Sequence, residues 1–234
     1  MKKLIILISA LFVFIGISGC ATKAAFIYET GTNLNLTKNK KPLTIAVIPL
    51  IDLRKTDNHN YSLLGFIPLV PFGWFEYNRP EAANGFLFQQ SFNFRPSEDI
   101  AKAIVSELQV NQLFEEVFFT FREKEPNVDY FLTGELYSTY WDGSLITYCL
   151  SSYGSLLWLV GLPVGTVNNE LSLKLFLRKS SNWEVVWSDE IKGNYGKTVG
   201  FYYNWASDFD GYSEILKKGL NESLKKLALK LPEL

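Results

Sequence analysis

Leu171, Leu173, Leu175 and Leu177 alternate with Ser172, Lys174, Phe176 and Arg178. A period of two commits this stretch to a β-strand with one face buried. Ser180-Ser181-Asn182 turns the chain, and Trp183 to Ile191 supplies the returning partner. Other elements arrange themselves around this hairpin. Thr44-Ile45-Ala46-Val47-Ile48-Pro49-Leu50 is a β-branched apolar run suited to a buried strand, with Pro49 at its end or at an edge. Pro96-Ser97-Glu98-Asp99 reads as a helix start, with Ser97 as N-cap and two acids in the first turn. Ile100, Ile104, Val105 and Leu108 then form an apolar stripe over a helix at 98–112. Glu116 to Phe121 and Asp129 to Trp141 read as strands, the second with Tyr130, Leu132 and Leu136 on one face. Ile215, Leu216, Leu220, Leu224, Leu227 and Ala228 line an amphipathic helix over Ser213 to Leu229, in which Gly219 costs about 1 kcal/mol. The order predicts a single α/β (α+β) domain with a mixed sheet, a helix after the first strand and a C-terminal helix.

Two inserts interrupt this pattern. Tyr61 to Phe75 carries no charge, and Pro68 and Pro71 forbid a regular helix through it. It lies in a connection, Asp52 to Asn93, too long for an ordinary loop. Residues 143–169 are also uncharged, with their most apolar part at 145–165. That run has the length of a membrane-spanning helix, but Gly154, Pro163, its Ser and Tyr residues and the lack of cationic flanks oppose one. A second reading is core: a strand at Leu145 to Leu150, then a short helix at Tyr153 to Val160 ended by Gly161 and Pro163. A third is that the two inserts meet as an exposed apolar surface for a partner or membrane. Its candidate contacts are Phe66, Phe72, Trp74, Leu157, Trp158 and Leu159. A further cluster, Gly200 to Trp205, offers Tyr202, Tyr203 and Trp205, with Asp208 nearby, for stacking on glycan rings such as peptidoglycan. The alternative there is packing over a sheet edge.

The start of the chain points to an address. Lys2 and Lys3 precede an almost unbroken apolar run, Leu4 to Ile17, of signal-peptide length. Ile17-Ser18-Gly19-Cys20 then has the form of a lipobox: small residues admit the signal peptidase, and the thiol of Cys20 carries the lipid. An ordinary signal peptide or an uncleaved anchor is the plainer alternative. The expected organisation is a signal peptide at 1–19, a lipidated N-terminus and polar tether at 20–42, and one envelope domain at 43–234. Several acyl chains would hold such a protein on its membrane far more firmly than one.

Charge and composition narrow the work left for the domain. Losing Lys2 and Lys3 with the leader leaves 21 basic against 24 acidic residues, a net charge near −3. The lysines at 38, 40, 41, 217, 218, 225 and 226 read as solvated surface, and no basic stripe suggests nucleic acid. Cys20 and Cys149 are the only cysteines and His59 the only histidine, too few for a Cys/His metal site. With Cys20 committed to lipid no internal disulfide is available, and Cys149 reads as a small buried hydrophobe. Tyr153-Gly154-Ser155 lacks the second glycine of a nucleophile elbow, and no phosphate-binding glycine loop occurs. The acid pairs Glu115 with Glu116 and Asp208 with Asp210 read as solvation. No enzyme activity and no cofactor is expected.

A strand Ile45-Ala46-Val47-Ile48-Pro49-Leu50 with Asp52 and Arg54 close behind is followed by a helix, then Leu113-Phe114-Glu115-Glu116-Val117, then Asp129-Tyr130-Phe131-Leu132-Thr133-Gly134-Glu135-Leu136. This order, over about 44–192, resembles the envelope lipoproteins related to the curli secretion channel subunit and the TolB-type amino-terminal domain. The resemblance implies a fold and an envelope compartment; with the apolar inserts as contact surfaces, the expected function is that of a lipid-anchored accessory or assembly protein with an envelope protein partner. Ala21 after the cysteine, by likeness to the enteric sorting rule, implies the outer membrane, facing the periplasm. It also implies an alternative, a subunit of an oligomeric export channel. Those channel subunits carry alternating membrane-entering strands, whereas a continuous apolar run stands here.

Overall fold

A computed structural model describes residues 23–37, 40–83, 91–205 and 210–233. In chain order its strands and α-helices are β1 (Lys23–Ala25), β2 (Lys41–Val47), β3 (Ile51–Asp52), β4 (Asn58–Asn60), β5 (Phe72–Tyr77), β6 (Ser91–Asn93), α1 (Pro96–Asn111), β7 (Phe114–Phe119), β8 (Tyr130–Ser138), β9 (Trp141–Ile146), α2 (Ser155–Leu159), β10 (Gly165–Lys179), β11 (Val185–Val199) and α3 (Asp210–Lys230). Ile17, Ser18, Gly19 and Cys20 lie outside the described residues, as does Asp208.

The alternating leucines form β10, the axis of a nine-stranded mixed sheet. β11 pairs antiparallel with β10 along its length, from Gly165↔Val199 to Arg178↔Val185. The returning strand therefore runs well past Ile191. On its other side β10 meets two strands end to end: β8 opposite Ser172 to Lys179, and β9 opposite Gly165 to Asn169. The expected strand Asp129 to Trp141 is thus divided at Thr139 and Tyr140. The division lets the two halves hold different neighbours. β8 carries β2, β3 and, beyond β2, β7 in parallel, while β9 carries β5 and then β4 antiparallel. At this break the carbonyl of Tyr140 still accepts a bond from Glu170 N at 2.7 Å.

Both long helices cover one face. Ile100, Ile104 and Leu108 of α1 and Leu216, Leu220 and Leu224 of α3 pack with Ile45, Leu132, Leu136, Leu171 and Leu173 in one core. The helix start differs from expectation. Arg95 takes the N-cap position, Pro96 occupies the first turn, and no side chain caps it; Pro costs nothing there because its missing N–H has no intrahelical partner. Instead the carboxylate of Asp99 accepts the Arg95 N–H at 2.7 Å.

Gly219 has a packing reason that propensity alone conceals. A Cβ there would stand 2.3 Å from a methyl of Ile191, itself 2 % exposed and β-branched. Gly219→Ala is therefore expected to lower stability by about 1–3 kcal/mol through overpacking, outweighing the helix-propensity gain of about 1 kcal/mol. Urea denaturation reads the sign; a more stable variant would mean that α3 stands further from β11.

The polar stretch expected as a tether is folded over most of its described length. Phe26, Tyr28 and Leu36 pack against the core. Fully buried Glu107 accepts bonds from the Tyr28 hydroxyl at 2.8 Å and the Gly31 N–H at 2.6 Å. Leu34 N–H donates to Asn111 Oδ1 at 2.9 Å. Burial and the nearby Glu107 carboxylate push the Tyr28 hydroxyl well above its ordinary range. One buried carboxylate and a few aromatics hold a stretch whose composition alone looks solvated.

Candidate functional site

The two uncharged inserts meet at one end of the sheet. β5 lies against β9 from Phe72↔Ile146 to Tyr77↔Trp141. A 3-10 turn, Ser62–Phe66, folds back over β5, and Tyr61 N–H donates to the Trp74 carbonyl at 2.8 Å. The approach needs glycine: a Cβ on Gly73 would come within 2.1 Å of the Ser62 carbonyl oxygen.

Side-chain hydroxyls join the inserts. Buried Thr147 donates to the Gly65 carbonyl, and its own N–H reaches the Pro71 carbonyl at 2.9 Å. The Ser151 hydroxyl donates to the Phe66 carbonyl, and Leu69 N–H to the Cys149 carbonyl at 3.3 Å. This stitching holds Leu69, Tyr148, Cys149 and Ser151 at φ of 70°, 58°, 63° and 55°, conformations that non-glycine residues adopt only when packing dictates. Cys149 is exposed rather than buried. It occupies a left-handed turn position, so the apolar run around it does not carry it inward.

No described helix is long and apolar enough to cross a membrane. The run 145–165 is instead the end of β9, a turn, a 3-10 turn at Ser151–Gly154, and α2, closed by Gly161 at φ 93°. The expected short helix is present, but the expected strand at Leu145 to Leu150 is not: β9 ends at Ile146, and Tyr148 and Cys149 take left-handed turn conformations. Beneath them Leu145, Trp158 and Val164 form a small core against Phe66 and Tyr148. Trp158, 8 % exposed, donates its indole N–H to the Ile146 carbonyl at 2.8 Å. Trp158 thus supports the surface from below instead of forming it. Phe66 and Leu157 are half-buried, whereas Phe72, Trp74 and Leu159 are exposed.

The most prominent exposed side chains were not singled out from the sequence: Leu69 is 84 % exposed, Val160 and Tyr153 both 74 %. Ile67, Leu156 and Leu162 extend the same surface. All belong to the uncharged runs, but which of them point outward depends on turns that no periodicity announces.

The third cluster is continuous with this end. The Phe201 ring lies 6.0 Å from Trp158 and 5.0 Å from Trp205. Tyr202, 71 % exposed, donates its hydroxyl to the Leu159 carbonyl at 2.8 Å. Tyr203 and Gly200 bridge each other through their backbones, and Tyr203 and Trp205 are exposed. Three stretches far apart in sequence therefore make one apolar end without a formal charge.

Carboxylates lie outside its three uncharged stretches. Glu76 and Asp142 face each other across β5 and β9. Burial pushes the Asp142 carboxyl above its usual range, helped by Glu76 and Glu170 and opposed by Asn168. His59 is exposed on β4 with its ring stacked 6.0 Å from Tyr61. Glu115 and Glu116 are exposed on β7, and Asp210 pairs with Lys197 at 3.4 Å. Among the described residues no group of three or more His, Cys, Asp or Glu could hold a metal ion.

No protein-family model and no curated protein matches the sequence. Solved structures similar in fold include protein XCC0632 from Xanthomonas campestris, of the family DUF330, with a TM-score of 0.52 at 11 % identity over 91 % of this chain and 98 % of that one. PelC from Paraburkholderia phytofirmans, solved as a dodecamer, aligns with a TM-score of 0.39 at 13 % identity over 86 % of this chain and 94 % of that one. The XCC0632 likeness is one of fold.

Proposed function

We propose that the chain is a lipid-anchored lipoprotein of the bacterial envelope, an accessory or assembly protein that acts by contact rather than by chemistry. The observation that carries this reading is the apolar end. Tyr61 to Phe75, residues 143–169 and Gly200 to Trp205 contribute no charge to it, yet expose Leu69, Val160, Tyr153 and Tyr202. An exposed apolar patch of this kind on a folded domain marks a contact surface.

The lipobox supplies the attachment. Residues 1–19 serve as signal peptide, and Cys20 becomes the acylated first residue, at the outer membrane facing the periplasm. Intact-mass spectrometry of membrane-extracted protein, wild type beside Cys20→Ala, tests the anchor. The expected wild-type mass is that of a chain beginning at residue 20 plus acyl groups, with no acyl mass on the variant. A full-length or unacylated wild-type chain would overturn it.

A further inference from the structure

The first described segment packs, through two rings, toward the break between β8 and β9. The Phe26 ring lies 5.0 Å from Phe94, Phe94 lies 5.6 Å from Tyr212, and Tyr212 donates its hydroxyl to the Thr139 carbonyl at 2.8 Å. Phe26 is therefore level with the break between β8 and β9. From there the chain descends along α1, meeting Glu107 at Gly31 and Asn111 at Leu34. Before Phe26, β1 runs parallel to β6.

The lengths agree. Six residues separate Phe26 from Cys20, a reach of up to about 20 Å. Seven residues, six of them β9, carry the chain from Thr139 to Ile146 at the apolar end, about 23 Å. A fully extended terminus would leave Cys20 about one residue short of the level of Ile146, a gap that the attached acyl chains can span.

The surface chemistry selects lipid over protein. A protein interface carries on the order of ten hydrogen bonds and a polar rim. Here the Gly65, Phe66 and Cys149 carbonyls and the Leu69 N–H are bonded internally, through Thr147, Ser151 and the Leu69–Cys149 link. A surface entering a medium without hydrogen bonds must be satisfied in that way. Tyr153, Tyr202 and Trp205 add side chains with an apolar body and a polar edge, suited to the headgroup boundary. Asp142 lies four residues below Ile146, about 13 Å back along the strand, clear of the tips.

We propose that this end, led by Leu69 and Val160, inserts into the bilayer interface beside the acylated terminus, so that the domain lies docked on the membrane rather than hanging from it. The terminus part rests on the lipoprotein reading; the docking part rests on the surface itself.

Exposed Cys149 provides the reporter. The full, membrane-extracted protein is returned to zwitterionic phosphatidylcholine–phosphatidylethanolamine vesicles, with an environment-sensitive thiol dye on Cys149. Val160→Cys in a Cys149→Ser background gives a second site. The expected results are blue-shifted emission at both sites, quenching by lipids spin-labelled near the headgroup, and loss of at least half that quenching in Leu69→Asp/Val160→Asp, read at Cys149. Water-like emission open to aqueous iodide would overturn the proposal. So would a dye shielded from iodide but not quenched by lipid, which would assign the face to a protein or a second copy. Failure of the anchor is read separately: labelling of Cys149→Ser would expose a free Cys20 thiol, and quenching at the tips would still report docking.

Discussion

Trp141→Ala is expected to destabilise the protein by about 3–5 kcal/mol, lowering the melting temperature by about 10 °C or more. Trp141 is fully buried, with the Phe75 ring at 4.5 Å and Tyr77 at 5.5 Å. It is the first residue of β9, where the strand along β10 changes neighbours, and it faces Asn169 on one side and Tyr77 on the other. Truncation leaves a cavity against two rings of β5, which cannot close without moving that strand. Thermal melts followed by near-ultraviolet circular dichroism measure the effect. A loss below about 1 kcal/mol would show that the junction relaxes around the hole, which dense packing does not allow.

Arg54→Met is expected to cost about 3 kcal/mol, the lower end of the range for breaking a buried ion pair. The Arg54 side chain is 2 % exposed, whereas those of Asp52 and Glu81 are 27 % and 23 % exposed, so water can partly solvate the carboxylates left behind. Arg54 forks to Asp52 through Nε and Nη2, both at 2.9 Å, and to Glu81 at 3.1 and 2.6 Å. It also donates to the Thr139 hydroxyl at 2.6 Å, which ties the long connection to the strand break. A single ammonium cannot reproduce this fork, so Arg54→Lys is expected to lose most of the same stability. Hydrogen bonds from Arg54 hold the Asp52 carboxyl below its usual range. A depressed folded value stabilises above the unfolded value of about 3.9 and is lost as pH falls through the folded one. Wild type should therefore lose stability more steeply than Arg54→Met below about pH 4, measured by urea midpoints across pH. Parallel curves would show that the guanidinium does not set the Asp52 carboxyl.

The parts of this molecule that repeat were legible in the sequence. Leucines every second residue from Leu171 gave β10, and Ile215 to Leu227 at helical spacing gave α3. What escaped was held by single interactions that leave no period. Phe26 and Tyr28 look incidental in a polar stretch until Glu107, seventy-nine residues beyond Tyr28, accepts their segment. The exposure of Cys149 depends on a turn set by Pro71, Thr147 and Ser151. Composition marked the three uncharged segments, and their meeting required backbone contacts at Gly73 and hydroxyls at Thr147 and Ser151. Trp158 stands among apolar neighbours in the sequence like the exposed residues around it, but its indole N–H, bonded to Ile146, turns it inward.

The apolar end as an occupied contact surface is tested most directly by hydroxyl-radical footprinting of the protein in isolated native envelopes. Tyr153, Tyr202 and Trp205 report on that end, and Phe121, 67 % exposed, with Tyr137 and Tyr195 serves as the internal reference. The account predicts oxidation of Phe121, Tyr137 and Tyr195 with protection of Tyr153, Tyr202 and Trp205. Equal oxidation of both sets would show the apolar end open to water in the envelope and would contradict it.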